Sequence, residues 1–148
     1  ILNTRKRKEL IRSINSQWGC DFRTGLVFLL SSRNRIYLVN RDIEMLDDKK
    51  LRIDKMGMYF GEVMPNNEIR LSIEGSQMIG PIAGKSLIGL DDSEAAEWLR
   101  GKDLEKEDIN HTGGFAIIKN NNDFLGCGKA KQGKILNYVP KTRRVLSD

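Results

Sequence analysis

Residues 114–141 read GFAIIKNNNDFLGCGKAKQGKILNYVPK. Three apolar runs stand out, Gly114 to Lys119, Asp123 to Lys129 and Lys134 to Val139, parted by an Asn-rich stretch and a Gln-Gly pair. Runs of this length with partial period-two alternation, bounded by turn-forming residues, predict three short strands. Leu125-Gly126-Cys127-Gly128-Lys129 carries two glycines inside one of them. Glycine within a strand marks a bulge, a tight bend or a close backbone approach, so these two are expected to shape the sheet. A phosphate-binding loop does not fit, because the spacing is incomplete and Lys129 is followed by Ala130 rather than Ser or Thr. The ending is a small barrel, with a helix or two to close it.

Just upstream, Asp91 with Glu94 three residues on has the pattern of a capping box, opening a helix through Ala95, Ala96, Trp98 and Leu99 that Gly101 ends. A strand from Lys85 to Leu90 and a short helix at Ser76 to Ile79 precede it, and a charged loop follows. Towards the start, Leu10, Ile11, Ile14 and Trp18 recur at helical spacing behind a cap at Asn3 or Thr4, with Gly19 as the stop. Leu26 to Leu30 and Ile36 to Val39 flank Ser31-Ser32-Arg33-Asn34-Arg35, a hairpin with a basic tip. Asp42 to Asp48 reads as a short helix, and Gly57 to Val63 and Ile69 to Ile73 as a second hairpin about Pro65-Asn66-Asn67. The fold class is α+β, with an N-terminal α/β domain holding an antiparallel sheet over residues 1–72 and a C-terminal domain over 73–148.

Composition agrees: 148 residues, 39% apolar and 30% charged, are enough for a buried core in one domain or two small ones. No run approaches the about eighteen apolar residues of a membrane span, and residues 1–30 lack a secretory pattern, so a cytoplasmic protein is expected. Ile1 in place of methionine leaves the start of the natural chain open. Cys20 and Cys127 are isolated and read as two reduced thiols. Net charge is +5, and it is segregated: 14 Lys and Arg against 9 Asp and Glu in residues 1–72, 4 against 9 in 73–110, and 7 against 2 in 111–148. Two basic regions around an acidic one favour an anionic partner if the fold brings them to one face.

The last forty residues carry a family resemblance. Gly114-Phe115-Ala116-Ile117-Ile118, Phe124 to Lys129 and Gly133 to Lys141 with Arg143 and Arg144 resemble the closing strands of domains of the pseudouridine synthase and archaeosine transglycosylase (PUA) type. They are similar in particular to the RNA-binding tails of Sun/Fmu-type rRNA cytosine-5 methyltransferases. Met56 to Gly61, Ile69 to Ser72, Gln77 to Pro81 and Trp98 to Gly101 fit that group as well. The order of elements equally resembles large-subunit ribosome-biogenesis factors of the Nip-seven type, which place an α/β domain before a PUA domain. The resemblance covers roughly residues 56–145 and implies a pre-PUA domain followed by a PUA-like small β-barrel that binds RNA.

Catalysis is not expected. There is no Gly-rich motif after an N-terminal strand, no Cys-His-Asp constellation and one histidine, His111, so neither a cofactor nor a metal site is predicted. RNA needs cations for phosphates and flat surfaces for unstacked bases. The candidates are Lys129, Lys131, Lys134, Lys141, Arg143 and Arg144, with Asn137 and Tyr138 as base or sugar partners. Arg5, Lys6, Arg7 and Lys8, which oppose the dipole of the first helix, form a second basic patch with Arg33 and Arg35. Trp18 and Trp98 read as core. Three functions remain: a non-catalytic RNA-binding protein in ribosome biogenesis or rRNA modification, with rRNA or tRNA as partner; an adaptor that delivers a tail-less methyltransferase to rRNA; and, behind these, a small enzyme of unassigned chemistry. An exposed apolar patch on the first domain favours the adaptor, and a basic groove spanning both domains favours direct binding.

Overall fold

Helix α1 runs Thr4–Trp18, started by the Asn3 carboxamide, which accepts the Lys6 N–H at 2.9 Å, and stopped by Gly19 in the left-handed conformation at φ 57°. The computed structural model describes residues 2–40, 57–106 and 114–145; the helix expected over Asp42 to Asp48, the turn after it and His111 lie outside them. Strands β1 (Val27–Leu30) and β2 (Arg35–Val39) form the first hairpin, turning through Asn34 at φ 60°, and β3 (Met58–Val63) and β4 (Ile69–Leu71) form the second, turning through Asn67 at φ 67°. They join in an antiparallel sheet of order β1-β2-β3-β4. The strand expected to reach Ile73 ends at Leu71. Ser72 intervenes, its hydroxyl accepting the Gly75 N–H at 3.0 Å, so helix α2 (Ile73–Ile79) begins three residues before the expected start at Ser76.

The second sheet contains β5 (Leu87–Gly89), β6 (Leu104–Glu105), β7 (Phe115–Asn120), β8 (Asp123–Lys131) and β9 (Lys134–Asn137), in the order β5-β7-β8-β9-β6. Among the described residues only β5 with β7 is parallel, and β5 and β6 stand at the two ends of the order. Helix α3 (Asp92–Leu99) connects β5 to β6 and starts with the expected capping box, Asp91 and Glu94 each bonding the other's backbone N–H. Strand β6 falls where only a charged loop was expected. Strand β9 ends at Asn137, before the expected Val139, because the Asn137 side-chain oxygen takes the Val139 N–H at 2.7 Å and turns the chain out of the sheet. The class is α+β, as read from the sequence.

The main core does not stop at residue 72. Ile14, Trp18, Phe28, Ile36, Phe60 and Ile69 pack in one cluster with Ile79, Phe115, Ile117 and Cys127. Polar ties cross the same seam. The last carbonyl of α1, on Trp18, accepts N–H groups from Gly84 and Lys85, Ser86 donates to the Gln17 carbonyl at 2.8 Å, and the Phe115 N–H is bonded to the Glu68 carboxylate. A second cluster gathers Ile88, Leu90, Ala95, Trp98, Ala116, Ile118 and Ile135 between α3 and the second sheet. The two glycines of β8 shape that layer. Gly126, at φ 106°, sits opposite a shift of register in β7, and a Cβ on Gly128 would come within 2.6 Å of the Trp98 ring. Cys20, half-buried, and Cys127, buried, are free thiols. Among the described residues no helix is long and apolar enough to cross a membrane.

Candidate nucleic-acid interface

Register decides which of the C-terminal cations share a face. Directly opposed residues of adjacent strands point the same way. Lys129 is opposed by Phe115 on β7 and by Leu136 on β9, and Lys131 by Lys134, so Lys129, Lys131 and Lys134 stand together at one end of the β8–β9 hairpin. Lys131 and Lys134 are exposed and have no carboxylate within salt-bridge distance among the described residues, although Glu105 lies opposite Lys134 on β6. Lys129 is half-buried with its ammonium 5.5 Å from the Phe115 ring centre. Lys141 is exposed in a short 3-10 turn, Lys141–Arg143.

Neighbours in sequence part company beyond that turn. Arg143 donates to Glu74 at 2.6 Å, at the start of α2. Arg144 donates instead to the Val139 carbonyl at 3.1 Å and lies against Gly101, where any Cβ would overlap its guanidinium. Asn137 is engaged on every side. Its amide group donates to the carbonyls of Trp98 and Lys102 at 2.8 and 2.9 Å while its oxygen holds the Val139 N–H. Both amide hydrogens are thereby committed to backbone carbonyls at the end of α3 and just beyond it. Tyr138 has a different setting, 37% exposed, with its ring 5.5 Å from Phe115 in an edge contact and the Arg70 guanidinium 4.8 Å above it.

The N-terminal patch divides likewise. Arg7 donates to the carbonyls of Thr24 and Leu26 and covers the Phe28 ring, clamping α1 to the approach of β1. Arg5 pairs with Glu9 one turn on at 3.4 Å, and Lys8 and Arg33 are exposed, as is Lys6. Arg35 turns towards Tyr59, with 6.0 Å to the ring centre.

A cleft of about 120 Å³ opens where β4 meets the chain leaving β9, lined by Tyr59, Arg70, Ser72, Glu74, Tyr138 and Arg143 with Cys127 behind them. Arg70 and Glu62 pair at 3.4 Å on the same face of the first sheet. Burial, ahead of the opposing pull of Arg70, lifts the Tyr59 phenol above its ordinary value, so its proton stays on at neutral pH. Burial also pushes the Cys127 thiol up to about 12, which makes it a neutral wall and not a nucleophile. Tyr59, Arg70 and Glu74 were not among the residues expected from the sequence. The alternation Ile69-Arg70-Leu71 does show that Arg70 points away from the core, but nothing local indicates that it will meet Tyr138.

Residues 85–145 match the family model described as the methyltransferase RsmF PUA domain. Over 140 residues the chain is 25% identical to ribosomal RNA small subunit methyltransferase F of Aeromonas hydrophila subsp. hydrophila, an alignment that takes in 95% of this chain. The chain spans 28% of that relative's length. The match begins just before β5 and ends after the Lys141–Arg143 turn, so it includes the β8–β9 hairpin, Tyr138 and Arg143. From its second sheet onward the chain is thus similar to the PUA domain of an rRNA methyltransferase, in line with its resemblance to the tails of Sun/Fmu-type rRNA methyltransferases.

Proposed function

We propose that this chain is a non-catalytic RNA-binding unit that acts in rRNA modification or ribosome biogenesis, gripping structured rRNA or tRNA through its C-terminal PUA-like half. The reading divides the chain at about residue 72 into a pre-PUA part and a small β-barrel of PUA type, working as one body in the cytoplasm. The observation that carries it is the cluster of Lys129, Lys131 and Lys134 at one end of the β8–β9 hairpin, within the region that matches the PUA domain. Lys131 and Lys134 are exposed without a carboxylate in reach among the described residues, whereas Arg143 is offset by Glu74. These two lysines are therefore the phosphate-binding groups to test. Lys131→Glu with Lys134→Glu is expected to weaken binding of an rRNA fragment for all sequences alike, and to lower the salt slope by about 0.7 to 0.9 for each phosphate no longer neutralised. Unchanged affinity and slope in a folded double variant would move the interface to Lys6, Lys8 and Arg33.

The adaptor reading has one supporting observation. A groove of about 410 Å³ beside α1 has an apolar floor of Leu2, Leu10, Leu30, Val63 and Ile69 rimmed by Lys6, Glu9, Ser13 and Asn67, and Leu30 is 39% exposed. Leu30→Asp separates the two readings: it would leave RNA affinity intact and abolish co-purification with an RNA methyltransferase if the groove docks one.

A further inference from the structure

Cations and rings alternate across the junction of the two sheets. Starting on the first sheet, Tyr37 lies 5.6 Å from Tyr59, Arg35 covers Tyr59 at 6.0 Å, and Arg70 covers Tyr138 at 4.8 Å. On the second, Tyr138 meets Phe115 at 5.5 Å and Lys129 covers Phe115 at 5.5 Å; Phe115 is itself buried in the core, so Tyr138 is the ring of this pair that a base can reach. The stripe passes over the cleft, and the residues that make it come from β2, β3, β4, β7, β8 and the exit from β9. Such interleaving is how proteins hold single strands, because every base has a face that stacks on a ring or a guanidinium plane.

Charge balance shows what the cleft itself would bind. Arg70 is paired with Glu62 and Arg143 with Glu74, so the positive charge there is offset and a phosphate gains little from entering. What the cleft does offer is planar surface, from Tyr138 and Arg70, with an acceptor and a donor side by side on Glu74 and Arg143. Its volume of about 120 Å³ is well below the roughly 300 Å³ of pockets that enclose a whole small molecule. One planar ring fits that description, with its sugar and phosphate left outside. Lys129, next along the stripe beyond Phe115, stands where the following phosphate would run.

We propose that the cleft between β4 and the exit from β9 takes one unstacked base of a single-stranded RNA segment, stacked on the Tyr138 and Arg70 pair with its edge towards Glu74 and Arg143. The proposal rests on the RNA-binding reading above and adds to it a base site built jointly by the two sheets. Single-stranded RNA is then preferred over a duplex of the same sequence, whose bases are stacked and shielded.

The test uses the full chain and a short fluorescent oligoribonucleotide, single-stranded or annealed. Tyr138→Leu is expected to weaken single-strand binding about tenfold with the salt slope unchanged, since losing a base stack involves no counterion release. Tyr138→Phe keeps the ring and should bind like the original chain, which separates lost stacking from lost folding. Irradiation of the unaltered protein with an iodouridine-containing strand should attach it to Tyr138 or Tyr59, located by peptide mass. If Tyr138→Leu binds normally while the Lys131 and Lys134 reversals weaken binding, the cleft proposal is overturned and the RNA-binding reading stands. If the unaltered chain binds neither RNA, both fall. Equal affinity for duplex and single strand, or a Tyr138→Leu loss that comes with a lower salt slope, also overturns the base site.

Discussion

Trp18 and Trp98 are both fully buried, yet their indole N–H groups differ in a way that sets opposite expectations. The Trp98 N–H donates to the Leu125 carbonyl at 3.1 Å, whereas the Trp18 N–H has no partner among the described residues. A buried donor without an acceptor carries a desolvation penalty of about 1–3 kcal/mol, so Trp18→Phe removes that penalty along with some packing. Trp98→Phe loses packing and strands a carbonyl. Urea unfolding should therefore find Trp98→Phe more destabilising than Trp18→Phe by about 1–2 kcal/mol; the reverse order would mean that the Trp18 N–H is satisfied in solution. Cys127 gives a pH dependence with a definite sign. Its thiol is pushed up to about 12 in the folded chain by burial, against an ordinary value of 9.0, so the folded state holds the proton more tightly than the unfolded state. The contribution is intact below pH 9 and is lost as pH rises towards 12. Stability should fall as pH rises from about 9 towards about 12, and Cys127→Ala, which has no thiol to titrate, should flatten part of that fall.

At the scale of elements, the glycines of the second sheet are not equivalent. A Cβ on Gly128 meets the Trp98 ring at 2.6 Å and the Leu136 carbonyl at 3.1 Å, while one on Gly89 meets nothing within 4 Å. Gly128→Ala is expected to cost about 1–3 kcal/mol by overpacking, and Gly89→Ala to stay within about 0.5 kcal/mol of neutral, both by thermal or urea unfolding. A Gly128→Ala chain as stable as the original would show that α3 can retreat from the sheet. The elements legible in the sequence share a cause: each is specified by residues within a few positions of one another. Asn3 and Gly19 bound α1, Asp91 and Glu94 start α3, and Asn34 and Asn67 supply the left-handed turns of the two hairpins. Local patterns mislead where a distant partner decides. Strand β6 is only Leu104–Glu105, without an alternating pattern of its own, and exists because β9 offers it an edge. Ser72 reads locally as the continuation of a strand and instead caps α2, with its hydroxyl also donating to the Tyr59 carbonyl at 2.6 Å.

For the molecule as a whole, the candidate site was half legible for the same reason. Lys131 and Lys134 could be placed together from the turn between them, but Arg143 and Arg144 could not be separated, because their partners, Glu74 and Gly101, lie far away in the chain. The joining of the two sheets was also out of reach of local reading, and it bears on how the chain unfolds. Ile14 on α1 and Ile117 on β7 are both fully buried in one cluster, which Gln17 helps to seat by exchanging two bonds with the backbone of Ile69 at 2.7 and 2.9 Å. Neither sheet can lose its face of that cluster without exposing the apolar face of the other, and a shared face of this kind couples the two transitions. Ile14→Ala and Ile117→Ala should each cost about 2–5 kcal/mol. Each should also accelerate amide exchange of the slowest protons in both sheets by the same free energy, since exchange from the core reports global opening. If Ile14→Ala speeds exchange in β1 to β4 and leaves β7 and β8 as protected as before, the sheets open separately. The cleft between them would then be a junction that can part, and a base site built from both would form only while the two remain docked.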